Sequence, residues 1–335
     1  MNRYRAFVLI LSGFCFVALG GAVLSCVSGS TFPDSSGSGA GGSHGHAAGV
    51  GGELNLAGST SGDVGAGGDM SWDGLPVTDV DCSKPTQYIY LVSTERVLWR
   101  FWPPTLELTK VGLLHCKDPN SIEGPFSMSV DRHGKAWILY RSGRVHKLDL
   151  ESGNCIDSGH EPPAIEGKFS LFGMAFTTDA TSPDKETLFV RDGQWYEPGQ
   201  EPAARTLGRF DVQSKIITPI GDNPGGNADL SGTGEGRLYA FRKQPGSGAA
   251  ELAEINPATA ANLSVTPLEN LTIANAWAVA AWGGDVWMFT DEATLSTKII
   301  RYQPATGQLD VVKMDIGPRI IGAGVSSCVP IVPPK

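Results

Sequence analysis

One strand–turn–strand phrase recurs five times along this chain, and that recurrence limits the possible folds more than any other feature. The clearest copy is Phe126 to Cys155, FSMSVDRHGKAWILYRSGRVHKLDLESGNC, three short strands joined by tight turns. Its strands alternate or are rich in β-branched and aromatic residues, while Glu151-Ser152-Gly153-Asn154 carries turn chemistry. The second strand returns as QYIYLV, KAWILY, ETLFVR, GRLYAF and DVWMFT. With Ile89, Trp137, Leu188, Leu238 and Val286 aligned, the steps are 48, 51, 50 and 48 residues. The third strand returns as LWRFWPPT, VHKLDLES, LGRFDVQS, LAEINPAT and IIRYQPAT, and Phe101, Leu148, Phe210, Ile255 and Tyr302 step by 47, 62, 45 and 47. The one long step is an insertion around 193–204, GQWYEPGQEPAA, whose prolines and glycines mark a loop. Two strands keeping a period near 50, with three or four strands per unit, predict propeller blades rather than a solenoid.

The first strand of each unit points the same way. Aligning Val130, Phe176, Leu230, Val279 and Val325, the residues one and three earlier are Ser129/Ser127, Ala175/Gly173, Asp229/Asn227, Ala278/Ala276 and Gly324/Gly322. Strand residues two apart share a face. All units but one therefore present only Gly, Ala or Ser there, as innermost strands need where blades converge on an axis. From Tyr88 the chain begins inside a blade: YIYLVS, RVLWRFW and LELTKVGLL are second, third and fourth strands without a first. The missing strand is Ile320–Ser327, IIGAGVSS. The expectation is an all-β, five-bladed β-propeller over 81–335, closed by pairing of the C-terminal strand with the N-terminal blade. Such closure hides sheet edges. Blades two to five are expected at 126–157, 169–220, 226–268 and 275–316.

The first 80 residues have another character. Arg3 and Arg5 precede an apolar run, Ala6 to Leu24, so 1–25 reads as a secretory signal peptide. Its end, Val23-Leu24-Ser25-Cys26, resembles the bacterial lipobox, in which the cysteine becomes the lipidated first residue; ordinary secretion with cleavage at a nearby small residue is the alternative. Residues 26–80 read as a flexible stalk, with 13 glycines between Gly37 and Gly68 and no apolar periodicity. Some 50 such residues would hold a domain roughly 35–45 Å from a membrane. His44 and His46 in that glycine tract are read as incidental, not as a metal site. The formal net charge is −9, and loss of 1–25 removes Arg3 and Arg5 and no acid, leaving −11. An acidic chain without a basic run argues against nucleic acid and against anionic membrane surfaces, so membrane contact is expected through the lipid alone. Four cysteines remain beyond Cys26, an even number that suggests two disulfides in an exported chain. Cys328 directly follows the first strand of the shared blade and Cys82 precedes its second, so these two are expected to pair. Cys116 is then left with Cys155, although they flank outer-strand ends that could lie at opposite faces.

At this point the residues carry a resemblance. The lipobox-like start, the Gly-rich stalk and the phrases PATGQL and IIGAGVSSC are similar to uncharacterised propeller lipoproteins of Gram-negative soil bacteria, over nearly all of 82–330. The resemblance implies a fold and an exported, lipid-anchored address, and no activity. Val27 after Cys26, rather than Asp, implies sorting to the outer membrane in such lipoproteins.

No catalytic or cofactor motif is present, and none is expected to act. Gly232-Thr233-Gly234-Glu235-Gly236 reads as a glycine hairpin. His115, His133, His146 and His160 lack ligand spacing, so no metal is expected. Asp131, Asp149, Asp211 and Asp285 sit at strand ends and turns, where aspartates bond nearby amides. Trp99, Trp102, Trp137, Trp277, Trp282 and Trp287 fall on strands and read as packing between blades. Trp195 and Tyr196, in the long insertion, are candidate ligand contacts. Asn227 and Asp229 occupy the inner slots that small residues fill elsewhere, so with Ser127 and Ser129 they form a candidate ligand site facing the channel. Two classes follow: a monomeric binding or scaffold module for a protein or polysaccharide, and a propeller hydrolase, lactonase or lyase. Catalysis needs convergent acid–base groups on several inner strands, and the small inner faces favour binding.

Overall fold

The computed structural model describes residues 82–334 except 117–123, 164–166, 195–201, 245–246 and 292–295. The chain divides into Met1–Gly68 and Asp69–Lys335, and the described residues all belong to the second unit. The signal segment, Cys26, the Gly-rich stretch, Trp195 and Tyr196 lie outside the described residues.

Five four-stranded antiparallel sheets make a five-bladed β-propeller. From the axis outward, blade 2 is Pro125–Val130, Lys135–Tyr140, Val145–Asp149 and Cys155–His160. Blade 3 is Phe172–Asp179, Ser182–Asp192, Ala204–Phe210 and Ile217–Pro224. Blade 4 is Ala228–Gly232, Leu238–Lys243, Ala249–Ile255 and Asn262–Thr272. Blade 5 is Trp277–Trp282, Asp285–Asp291, Thr297–Gln303 and Gln308–Lys313. In blade 1 the inner strand Ile320–Gly324 joins Ile89–Ser93, Val97–Trp102 and Glu107–Leu113. Closure rests on Tyr90↔Gly324, Leu91↔Ala323 and Val92↔Gly322.

The repeat seen in the sequence is a register. Ile89 pairs Phe101, Leu188 pairs Phe210, Leu238 pairs Ile255 and Val286 pairs Tyr302. In blade 2 the equivalent of these residues is Ala136, which pairs Leu148, not its neighbour Trp137. Trp137 points to the other face and packs on Phe176 and Phe210 of blade 3. Each blade–blade junction has its own hydrophobic cluster. Phe101 meets Trp287 between blades 1 and 5, and Met128 meets Val92 and Leu98 between blades 1 and 2. The junction of blades 3 and 4 is built largely from alanines, Ala175, Ala228, Ala240, Ala253 and Ala260.

Small inner residues are required because neighbouring inner strands touch. A Cβ on Gly173 would strike the Ala228 carbonyl, and one on Gly324 would lie 3.0 Å from the Ser129 Cα. The turns behave as their residues dictate. The Asp131 carboxylate accepts the His133 and Lys135 N–H groups, and Asp149 and Asp211 cap their turns likewise. Asp285 departs from that reading and pairs with Arg301 at 2.6 Å.

Both disulfides form as the chain order suggests, Cys82–Cys328 and Cys116–Cys155, with Cα separations of 5.9 and 5.1 Å. The second is reached because Leu114-His115-Cys116 leaves the outer strand of blade 1 and turns into the junction with blade 2, beside Leu148 and Cys155.

Candidate functional site at the open end of the channel

An innermost strand is an edge strand, and its axis-facing N–H groups need acceptors. Side chains of the preceding blade supply them. Ser129 Oγ of blade 2 accepts the Phe176 N–H of blade 3 at 2.9 Å, and Ser231 Oγ of blade 4 accepts the Ala281 N–H of blade 5 at 2.8 Å. Asp229 does more. Its Oδ2 accepts the Val279 N–H of blade 5 at 3.1 Å and its Oδ1 accepts the Ser127 hydroxyl of blade 2 at 3.0 Å, while the Leu230 and Ala323 amides also point at it. One carboxyl thus ties four inner strands together across the axis.

Burial dominates the titration of that carboxyl and pushes its pKa up to about 8 from 3.8, against the lowering effect of its four donors. A raised folded-state pKa binds the proton more tightly in the native state. The stabilisation is therefore complete below about pH 4 and is lost as pH rises through about 8. The slope approaches about 1.4 kcal/mol per pH unit between these limits. Asp229→Asn keeps the shape and removes the ionisation. Urea unfolding between pH 5 and 8 should give a stability that falls more steeply with pH for wild type than for the variant. Parallel profiles would mean that another group carries the dependence.

Outside Asp229 the channel opens into a cavity of about 170 Å³, at the end where the inner strands begin. Ser127, Asn227, Asp229 and Asn275 line it, with the half-buried apolar faces of Phe126, Leu171, Trp277 and Ile321 around them and Arg141 at the rim. The Asn227 amide nitrogen reaches the Gln194 carbonyl at 3.4 Å, and its Oδ1 is buried with no hydrogen-bond partner among the described residues. Arg141 lies over the Phe126 ring at 5.6 Å, and Lys243 over Trp277 at 5.2 Å. The structure thus brings Asn227, Asp229 and Ser127 to one cavity, whereas Ser129 sits deeper, engaged by Phe176.

Phe126, Arg141, Asn275 and Trp277 were not anticipated as site residues. Their shared signal is position, at the start of an inner strand or just past the end of a second strand. Behind the cavity lies a second feature that was not anticipated, three fully buried arginines, Arg191, Arg205 and Arg242. Arg191 donates to the carbonyls of Gly226 and Gly225 at 2.6 and 3.0 Å and to Asn223 Oδ1 at 2.9 Å. Arg242 donates to the same Asn223 oxygen at 3.0 Å and to Glu251 at 2.6 Å. Burial, then its two neighbouring guanidiniums, push the Arg191 pKa down to about 9. This knot fixes the 223–227 turn that presents Asn227.

The opposite end of the channel is covered. After the inner strand of blade 1, Ser327 donates to Glu186 of blade 3 at 2.7 Å and accepts from Arg132 of blade 2 at 3.4 Å. The Pro330 carbonyl takes the Gly283 N–H of blade 5 at 2.7 Å, and a Cβ on Gly284 would lie 2.9 Å from the Ile331 carbonyl. Residues 327–331 therefore run across the hairpins of the other blades, and among the described residues the channel is covered at this end alone.

Cys116, His146 and Cys155 also converge, with potential ligand atoms within 4.8 Å of one another, but the disulfide occupies both sulfurs. Asp229 is the only ionisable acid lining the open cavity, and no histidine lines it among the described residues.

No known protein family matches this sequence, and no curated protein matches it. Solved structures similar in fold include one from a nidogen/laminin complex, 14% identical over 71% of this chain and 97% of that one, TM-score 0.44. TolB from Acinetobacter baumannii is 12% identical over 68% of this chain and 52% of its own, TM-score 0.39. A hydrazine synthase chain from Kuenenia stuttgartiensis is 12% identical over 73% and 71%, TM-score 0.37. Function has to be argued from the site itself.

Proposed function

We propose that this chain is an exported, lipid-anchored binding module, tethered by a Gly-rich stalk, whose propeller takes a polysaccharide partner at the cavity end of its channel. The observation that carries this reading is the channel formed by the described residues, with a cavity of about 170 Å³ bearing aromatic walls and amide groups at one end and residues 327–331 across the other. Concave apolar pockets with a few placed polar groups are where proteins hold small ligands. Against a hydrolase, lactonase or lyase stands the engagement of Asp229 by Ser127 and backbone amides, which leaves it no free role as an acid–base group.

The anchor is tested by fractionation: wild type should be in the outer membrane and Cys26→Ser in the soluble exported fraction. A Cys26→Ser protein still acylated and membrane-bound would remove the anchor from the reading. The site is tested by filling it. A Cβ on Gly193 meets only ordinary contacts, 3.4 Å from the Phe172 Cα and 3.6 Å from Phe126. Gly193→Leu should therefore fold normally and lose at least tenfold in retention on an immobilised polysaccharide panel. Unchanged retention would place binding elsewhere on the molecule.

A further inference from the structure

The shape and chemistry of the open cavity narrow what it can hold, granted the binding reading above. A cavity of about 150 Å³ accommodates a benzene ring, so about 170 Å³ takes one six-membered ring, not a drug-sized molecule. The walls offer that ring two aromatic faces, Trp277 and Phe126, flanked by the amides of Asn227 and Asn275. Asn227 lines the cavity, and its Oδ1 is buried without a donor among the described residues, so a rotation of the amide toward the cavity would give that acceptor a ligand hydroxyl.

Charge decides the remaining group. Among the described residues, three carboxylates near this end are already engaged: Asp192 lies 3.6 Å from Arg205, Glu251 is 2.6 Å from Arg242, and Asp291 is 2.9 Å from Arg319. Asp229, buried at the floor, carries its proton at neutral pH. Arg141, by contrast, is exposed at the rim on the Phe126 ring, and no carboxylate partners it among the described residues. A planar guanidinium held against an aromatic face is suited to bidentate capture of a carboxylate. The overall acidity of the chain does not oppose this, since contacts beyond a Debye length of about 8 Å are screened at physiological salt.

We propose that the cavity takes the terminal sugar-acid residue of an acidic polysaccharide, its ring between Trp277 and Phe126, its hydroxyls on Asn227 and Asn275, and its carboxylate on Arg141. Calorimetric titration of the purified 81–335 protein, with intact disulfides, tests this with sodium galacturonate and sodium glucuronate against galactose, glucose and the methyl esters of the two acids. At least one acid should bind at least tenfold more tightly than its own neutral sugar and ester. Arg141→Met, a change at an exposed position, should level the acid with its ester and leave the neutral sugar unchanged. Gly193→Leu should abolish all binding. Equal binding of acid and neutral sugar, lost in Gly193→Leu, would overturn the acid preference while leaving the binding site in place. No binding of any of the six probes, with Gly193→Leu still losing polysaccharide retention, would overturn the sugar-acid assignment alone. Acid binding that survives both Arg141→Met and Gly193→Leu would overturn this inference and the site together.

Discussion

Arg242→Met should lower the unfolding free energy by about 3 kcal/mol, the lower end of the roughly 3–5 kcal/mol seen when one partner of a buried ion pair is removed. Arg242 is 2% exposed and holds Glu251, itself 9% exposed, at 2.6 Å, so the variant strands a carboxylate inside the protein. It also withdraws one of the two guanidinium donors to Asn223 Oδ1, leaving Arg191 alone on that oxygen. The estimate stays at the low end because Arg191 attracts Glu251 from nearby and would be relieved of its repulsion from Arg242. Arg242→Met with Glu251→Leu should regain at least half of the loss, because a buried ion pair is often exchanged for apolar residues at small cost. Equilibrium urea unfolding of both variants decides it, and a single variant within about 1 kcal/mol of wild type would mean that the pair is not held as described. The single variant should also loosen the 223–227 turn and weaken any ligand that contacts Asn227, with Arg141 untouched.

How far the sequence was readable follows from what each feature depends on. The blade period, the small inner face and the ring closure depend on order along the chain and on strand alternation, so Ile89, Leu188, Leu238 and Val286 came out in register. The slip at Trp137 arose because a large aromatic looks like the core marker, while the paired residue is the small Ala136. The Cys82–Cys328 pairing was readable because closure places both at one end of blade 1. The arginine knot was not, because arginines near strand ends ordinarily reach water. Arg191 and Arg242 come from different blades and share the Asn223 oxygen, a packing that exists between blades rather than along the chain. The cavity was half readable. Asn227 and Asp229 broke the inner-face pattern visibly, but Arg141 reaches the same opening from a hairpin end in blade 2 and Asn275 from the connection before the inner strand of blade 5. The carboxyl of Asp229 looked available in sequence, and the structure engages it with amides from neighbouring blades, something no spacing rule could display.

Removing the Cys82–Cys328 bridge should cost about 2–5 kcal/mol, and more than removing Cys116–Cys155. The first closes a loop of 246 residues and the second one of 39, and chain entropy makes the longer closure worth about 1.5 kcal/mol more. The longer bridge also has a local effect. Cys328 stands next to Ser327, which holds Arg132 and Glu186, and shortly before Pro330, which takes the Gly283 N–H at 2.7 Å. Without the bridge, 327–331 is tied to the ring by the neighbouring inner strand, these hydrogen bonds and the packing of Val329 in the cluster between blades 1 and 5. Two double variants separate the effects: Cys82→Ser with Cys328→Ser, and Cys116→Ser with Cys155→Ser. Urea unfolding should rank the first as less stable than the second. Hydrogen exchange at the Gly283 amide should accelerate in the first variant only, while ligand binding at the open end persists in both. If the first pair proves no less stable than the second, and Gly283 stays equally protected, the ring is held by the Tyr90–Gly324 and Leu91–Ala323 strand pairing alone, and the bridge is not its latch.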